Sequence, residues 1–482
     1  MRILTFITLI IITFSITAQS PIDNFRRNTL LQNANISLIV KDLKSGKILT
    51  ELNSHQSVVP ASTMKVVTTA SALELLGADF RFKTTIELDG EITKDSTLNG
   101  NIYIKGGGDP TLGSAKIGDT EFLLKWVKAV QLAGIKKING SLVACESMLE
   151  KQAINPRWTW EDMGNYYAPG IHSISYLDNT LQVYFKSGQI GSIPEIIRTA
   201  PTIEGLNFLN YVKSTDTKTD NAYFYGAPYS NERTVFGEIP ANKNDFAVKS
   251  DLPHPALVLL ADFRKALENA GILVTGTMTV DDNEICNKHI IYNHLSPTLS
   301  EIIKEVNQNS NNHFAEYVFK QLNVSVAKQG SNDGAKAKIE NLWRVNNLSV
   351  SELFQYDGSG LSPTNGVSAN FFVGVLEFMK MKSKNNEAFY NSLPISGTNG
   401  TLKNFLDNTT LQGKVHAKSG TISRVKSYTG YLELPNRTLA FAILVNNANG
   451  SSKEVTAKIE QFLLEVSNST LLKLNTTNSK PQ

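Results

Sequence analysis

Helix and strand patterns that belong to one architecture stand at the two ends of this chain, and a long strand-rich stretch separates them. Asn35 to Asn53 alternates apolar and polar residues about Ser45-Gly46, a hairpin pattern. Far downstream, residues 414–418, 427–434 and 438–446 read as adjacent strands. Helical periodicity fills 299–309, 312–328, 333–346 and 368–382, and a last helix covers 453–466. Between the two ends, residues 82–288 read mostly as short strands and turns, with helices over 121–133 and 255–270 closed by Gly134 and Gly271. The two outer parts therefore have to pack as one domain. The N-terminal hairpin adds to the C-terminal strands, and the first helix (21–34) and the last cover one face of that sheet. The chain is α/β and multi-domain: residues 19–81 and 289–467 form one discontinuous unit, 82–288 an inserted β-rich region, and 468–482 a polar tail expected to be disordered. Its 482 residues suffice for two or three domains.

Directly after the hairpin comes Pro60-Ala-Ser-Thr-Met-Lys65, leading into a helix that stops at Gly77. Met64, Val67, Leu73 and Leu76 fall near helical spacing, so an amphipathic helix with one buried stripe is expected. Ser62 and Lys65 are three apart and share a face of the first turn. The positive end of the helix and partial burial both favour a neutral lysine amine, which can take a proton from a serine hydroxyl. Ser-x-x-Lys is a short pattern, however, and Ser325/Lys328 and Ser423/Lys426 match it too. A helix cap and a surface lysine is the competing reading for any one of them.

Composition narrows the classes. Apolar residues make up 41% and charged residues 19%, an ordinary globular balance, and the net charge of +3 with no Lys/Arg-rich run gives no footprint for nucleic acid. Seven histidines include no His-Glu-x-x-His pair, so no metal site and no cofactor are expected. Cys145 and Cys286 are far apart, and either a pair or two buried thiols is compatible with them. Residues 1–18 have one positive charge, a short apolar run and a small residue at Ala18, the form of a secretory leader. An exported, periplasmic protein is expected; peripheral membrane contact stays open, and no later stretch is apolar enough to span.

Two further motifs select among the Ser-x-x-Lys matches. Asn309-Ser310-Asn311-Asn312 sits where one helix ends and the next begins, and His416-Ala-Lys418-Ser419-Gly420-Thr421 lies on a strand. Ser-x-x-Lys, Ser-x-Asn and Lys-Ser/Thr-Gly, in that order, form the signature of penicillin-binding proteins and class A β-lactamases. Gly108-Asp-Pro-Thr-Leu112, Trp158-Thr-Trp-Glu-Asp162, Asp357-Gly-Ser-Gly-Leu-Ser362 and Ser396-Gly-Thr-Asn-Gly-Thr-Leu402 extend the match. The chain resembles the D-alanyl-D-alanine carboxypeptidase/endopeptidase family of the penicillin-binding protein 4 type, peptidase family S13, over nearly all of its length after the leader. The resemblance implies a β-lactamase/transpeptidase-like domain interrupted by a β-rich region of two nested subdomains. It also implies action on peptidoglycan stem peptides, with β-lactams as covalent inhibitors.

The site residues follow from the same resemblance. Ser62 is the implied nucleophile and Lys65 its base. Ser310 relays a proton to the leaving nitrogen, Asn312 holds Lys65 and a substrate carbonyl, and Lys418 attracts the terminal carboxylate. Ser419, Gly420 and Thr421 line the carboxylate position, and the backbone N–H groups of Ser62 and Thr421 form the oxyanion hole. Asp162 is implied to meet the free amine of the stem peptide's diamino acid, with Glu161 equally eligible. Some family members carry arginine after the Asp-Gly-Ser-Gly-Leu-Ser turn where this chain has Pro363, so the carboxylate of that diamino acid is bound differently here or not at all. A class A-like β-lactamase and a non-enzymatic peptidoglycan-binding or β-lactam-sensing protein are the alternatives. The Asp357 turn reads as structural.

Overall fold

Strands buried on both faces must be apolar at nearly every position, and the C-terminal strands are. Arg437–Asn446 is buried from Leu439 through Val445 without alternation. In the computed structural model, which describes residues 20–227, 230–281, 288–325 and 329–478, this strand is the middle of a five-stranded antiparallel sheet. The order is Ile48–Leu52, Asn35–Asp42, Arg437–Asn446, Val425–Leu434, Val415–Ile422. The N-terminal hairpin thus completes the C-terminal meander.

Alternate side chains serve two cores. Leu38, Val40, Phe441, Ile443 and Leu432 point to one side, where Phe25 of the first helix and Ile459, Phe462 and Leu463 of the last close over them. Ile39, Ala440, Ala442, Leu444 and Tyr431 point to the other side, against the helices Met64–Leu76, Leu299–Gln308, Asn312–Gln321, Asn332–Val345 and Ala369–Met381.

Three local expectations are corrected. The helix Met64–Leu76 is not amphipathic: every residue from Met64 to Leu73 is buried, because sheet and helices enclose it on all sides. The last helix does not stop near 466 but runs Ser452–Asn478. Its polar continuation is tied back, Ser469 and Thr470 donating their hydroxyls to Val466 O, and Ser467 and Thr470 are buried. The helix expected over 312–328 ends at Gln321. The leader expected over 1–18, Lys328 and Cys286 lie outside the described residues; Cys145 is fully buried and disulfide-bonded. Among the described residues no helix is long and apolar enough to cross a membrane.

The inserted region holds two separate cores. One lies between the sheet Met278–Asp281, Leu142–Cys145, Ile102–Lys105, Lys83–Leu88, His289–Leu295 and the helices Phe122–Leu132 and Pro255–Asn269, centred on Trp126 and Phe263. The strand His289–Leu295, expected on the far side of the boundary at 288, pairs with Lys83–Leu88 and belongs to this sheet. The other core, within residues 180–252, packs Val183, Phe185, Phe224 and Val235 between two small sheets. The segment between them runs along the helix Asn312–Gln321. His172 N donates to Tyr317 Oη, the Ser175 hydroxyl meets His313 Nε2, and Lys320 pairs with Glu150.

Candidate active site

Ser62 sits in a single 3₁₀ turn, Ala61–Thr63, at the mouth of the buried helix. Two close approaches fix that turn. Gly360, at φ +81°, lies under it, and a Cβ there would fall on the Ala61 carbonyl oxygen. Gly420 lies beside it, and a Cβ would meet Pro60 O, Thr63 N and Ser427 Oγ. Ala61 itself is held at φ 50°. The Pro60 carbonyl accepts from the hydroxyls of Thr63 (2.7 Å) and Ser427 (2.6 Å), which pins the turn to the sheet. Ser62 is no helix cap: the helix start has no side-chain cap, and the Ser62 hydroxyl oxygen accepts from Lys65.

Lys65 is completely buried. Its Nζ donates to Ser62 Oγ at 3.1 Å, Asn312 Oδ1 at 2.7 Å and the Ser359 carbonyl at 2.7 Å. Burial drives its pKa down from 10.5 to about 7, against the pull of two carboxylates, Glu316 and Asp357, that favour the charged form. A neutral amine is therefore accessible at neutral pH.

Ser310 and Asn312 flank the true helix cap, Asn311, whose Oδ1 accepts from Phe314 N. With the cap assigned to Asn311, its neighbours are free for other work. Ser310 takes a left-handed backbone, φ 57°, and its Oγ accepts from Lys418 Nζ at 3.0 Å. Asn312 accepts from Lys65 through Oδ1 and donates through Nδ2 to Tyr167 O at 3.0 Å. Lys418, also fully buried, donates to Ser419 O at 2.7 Å. Burial, then Lys65 and Lys426, push its pKa well below the ordinary lysine value. Lys65 with Ser62 and Asn312, and Lys418 with Ser310, thus form two hydrogen-bonded sets whose buried amines are near enough to act on one another. Ser419 Oγ donates to Thr401 Oγ1 at 2.9 Å, and exposed Thr421 accepts from Lys426 Nζ at 2.9 Å. Gly420 brings this strand end against the Ser62 turn.

Asp162 is bonded to neither set. Its Oδ2 accepts from the Thr159 hydroxyl (2.7 Å) and N–H (3.3 Å), closing a turn of its own loop, while Oδ1 has no hydrogen bond among the described residues. The loop reaches the site through Tyr167, whose carbonyl holds Asn312.

The sequence reading missed the support beneath Lys65. The Asp357 turn does more than reverse the chain. Glu316 accepts the N–H groups of Gly358 (3.0 Å) and Ser359 (2.8 Å), and Asp357 accepts those of Gly360 and Ser362, Asn365 Nδ2 and, at 3.0 Å, Trp158 Nε1. Two buried carboxylates thereby aim the Ser359 carbonyl at Lys65. Burial and the Asp357 charge raise the pKa of Glu316. The available signal was a glutamate on the inward face of the helix four residues after Asn312. Asn155 Nδ2 to Tyr356 O and Ser362 Oγ to Arg157 O fasten the inserted region to the same turn.

Comparison with known proteins places the chain in a family. Residues 18–466 match the D-Ala-D-Ala carboxypeptidase 3 (S13) family. A D-alanyl-D-alanine carboxypeptidase of Actinomadura sp. (strain R39) is 28% identical over 454 residues, covering 90% of this chain and 81% of that protein. The D-alanyl-D-alanine carboxypeptidase DacB of Haemophilus influenzae is 23% identical over 450 residues, covering 90% of each. The crystal structure of penicillin binding protein 4 from Haemophilus influenzae shares the fold at a TM-score of 0.78 and 22% identity, covering 92% of this chain and 98% of that one. A second structure of that protein, complexed with a β-lactam, gives 0.74.

Proposed function

Because this chain belongs to the D-Ala-D-Ala carboxypeptidase 3 (S13) family, we propose that it cleaves peptidoglycan stem peptides, as a carboxypeptidase and/or a D,D-endopeptidase, through an acyl-enzyme on Ser62. The observation that carries this reading is the fully buried Lys65 amine, 3.1 Å from Ser62 Oγ and held near neutrality at about 7. Lys65 takes the Ser62 proton as the oxygen attacks the penultimate D-alanine carbonyl. Ser310, bonded to Lys418, returns a proton to the leaving amine. Backbone N–H groups of Ser62 and Thr421 receive the oxyanion, each such donor contributing roughly 3 kcal/mol. Lys418, Ser419 and Thr421 draw the terminal carboxylate into place. Asp162, through its unbonded Oδ1, meets the side-chain ammonium of the stem peptide. The protein works in the periplasm after losing residues 1–18, and β-lactams acylate the same serine.

A β-lactamase reading would require a glutamate holding a hydrolytic water. Both oxygens of Glu316 are taken by backbone N–H groups, which gives that reading no support. The test is labelling with fluorescent penicillin. A stable adduct on Ser62 by mass spectrometry, lost in Ser62→Ala and kept in Ser325→Ala and Ser423→Ala, is the expected result. An acylated peptide lacking Ser62 refutes it, and rapid release of the label points to a β-lactamase. For Asp162, Asp162→Asn should lose kcat/KM selectively on a stem peptide with a free side-chain amine; equal loss on the acetylated peptide removes it from the site.

A further inference from the structure

One cation beside the site has no task in the reaction described above. Lys426 lies on the strand Val425–Leu434, directly opposite Thr421 in the antiparallel register. Its ammonium donates to Thr421 Oγ1 at 2.9 Å and stands 5.2 Å from the centre of the Tyr428 ring. It is half-buried and has no ion pair among the described residues; Glu460 is the acid that acts on it electrostatically. A half-buried lysine without a partner carboxylate is costly to keep unless an anion completes it.

We propose that Lys426 is a specificity residue for the substrate's terminal carboxylate, acting by orienting the Thr421 hydroxyl and by adding a second positive charge to that of Lys418. The inference rests on the reading of the site as a D-Ala-D-Ala peptidase. A hydroxyl that accepts from an ammonium must direct its own proton elsewhere. Thr421 is exposed at the strand end next to the Ser62 turn, so that proton is available to an incoming carboxylate. The contact also polarises the hydroxyl, which makes it the stronger donor. Ser419, two residues back on the same side of the strand, supplies a second hydroxyl, and its own proton is engaged by Thr401. Lys418, Lys426 and the oriented Thr421 hydroxyl then form a site that prefers an acid to a neutral chain end.

The experiment compares a diacylated tripeptide ending in D-Ala-D-Ala as the free acid with the same peptide as its C-terminal amide. The readout is the ratio of the two kcat/KM values. Lys426→Met should lower that ratio about tenfold, chiefly through KM of the acid, and Lys426→Arg should restore most of it. In a Thr421→Val background, Lys426→Met should change the ratio by less, since the oriented hydroxyl is gone and only the charge of Lys426 remains to act. An unchanged ratio in Lys426→Met overturns the proposal, even if overall activity falls. Full additivity with Thr421→Val overturns the orienting role. If the wild-type protein hydrolyses neither peptide and is not labelled by penicillin, the peptidase reading itself has failed.

Discussion

The Glu316 carboxylate beneath Lys65, the proposed base, should tune the pH at which acylation switches on. Ser359 bridges the two groups, its N–H 2.8 Å from Glu316 Oε1 and its carbonyl 2.7 Å from Lys65 Nζ. Across that path, at most about 9 Å long, two unit charges at an effective dielectric near 20 interact by roughly 2–3 kcal/mol. Taken in full, this corresponds to about two pH units on Lys65. Glu316 is itself raised by burial and by Asp357, so it is partly protonated where Lys65 titrates and exerts less than its full effect. The sign is fixed. With neutral Lys65 as the proposed base, the acylation rate should rise with pH up to the Lys65 value of about 7 and then level. Glu316 favours the charged amine, so Glu316→Gln should move the midpoint toward acid by about one pH unit. The other charges facing Lys65 are Asp357, which also raises it, and Lys418 on the neighbouring strand, and both stay in place. The assay is pre-steady-state acylation by a chromogenic or fluorescent β-lactam from pH 5 to 9. Glutamine accepts only one of the two backbone N–H groups, so about 1–3 kcal/mol of stability is lost as well, and folding is checked by thermal unfolding. A folded variant whose midpoint stays put or moves to alkaline pH refutes the reasoning.

Other consequences can be checked more briefly. Lys65 binds a proton more weakly folded (about 7) than unfolded (10.5), so wild-type stability rises with pH across that window and the penalty is full below it. Lys65→Met removes the dependence, and its advantage over wild type in unfolding free energy, measured by urea denaturation, should shrink by on the order of 5 kcal/mol between pH 6 and pH 10.5. Lys65→Arg should barely acylate at any pH, measured as above, because arginine keeps its proton. Gly420→Ala drives a methyl into Pro60 O and Thr63 N, so penicillin labelling should vanish and stability fall by about 1–3 kcal/mol. Trp158→Phe leaves Asp357 short of one donor, costing about 1–3 kcal/mol in thermal unfolding and slowing acylation although Trp158 lies in the inserted region.

Much of this was readable before any coordinates, for physical reasons. The reactive side chains are fixed by chemistry in type and by the fold in order, so Ser62, Lys65, Ser310, Asn312 and Lys418 show as spaced motifs. The central sheet showed because its strands are long and apolar and its hairpin carries a turn signal. What stayed hidden depends on tertiary contact. Glu316 looks like any helical glutamate until the Asp357 turn is laid against it. The helix Met64–Leu76 carries Lys65, Thr68, Thr69 and Ser71 inward because each finds a partner there: Thr68 Oγ1 donates to Gly358 O, Thr69 Oγ1 to Lys65 O, and Trp343 Nε1 donates to Ser71 Oγ. No periodicity encodes such pairings. The last helix outran its apolar stripe because serine and threonine hydroxyls can bond within a helix as well as end one.

The strand order carries a consequence for how the protein comes into being. The turn bearing Ser62 is held by a bond from Ser427 to Pro60, 367 residues apart in sequence, and the N-terminal hairpin finds its neighbour only in Arg437–Asn446. Contacts of such separation form slowly, more slowly than the pairings of the inserted core that lies within residues 180–252. A growing or truncated chain that lacks residues 415–446 therefore has Ser62 and Lys65 but no strand to hold their turn, no Lys418 and no place for a carboxylate. Activity waits for residues 415–446 to arrive, so the chain is chemically silent until then and becomes a hydrolase only when the sheet closes.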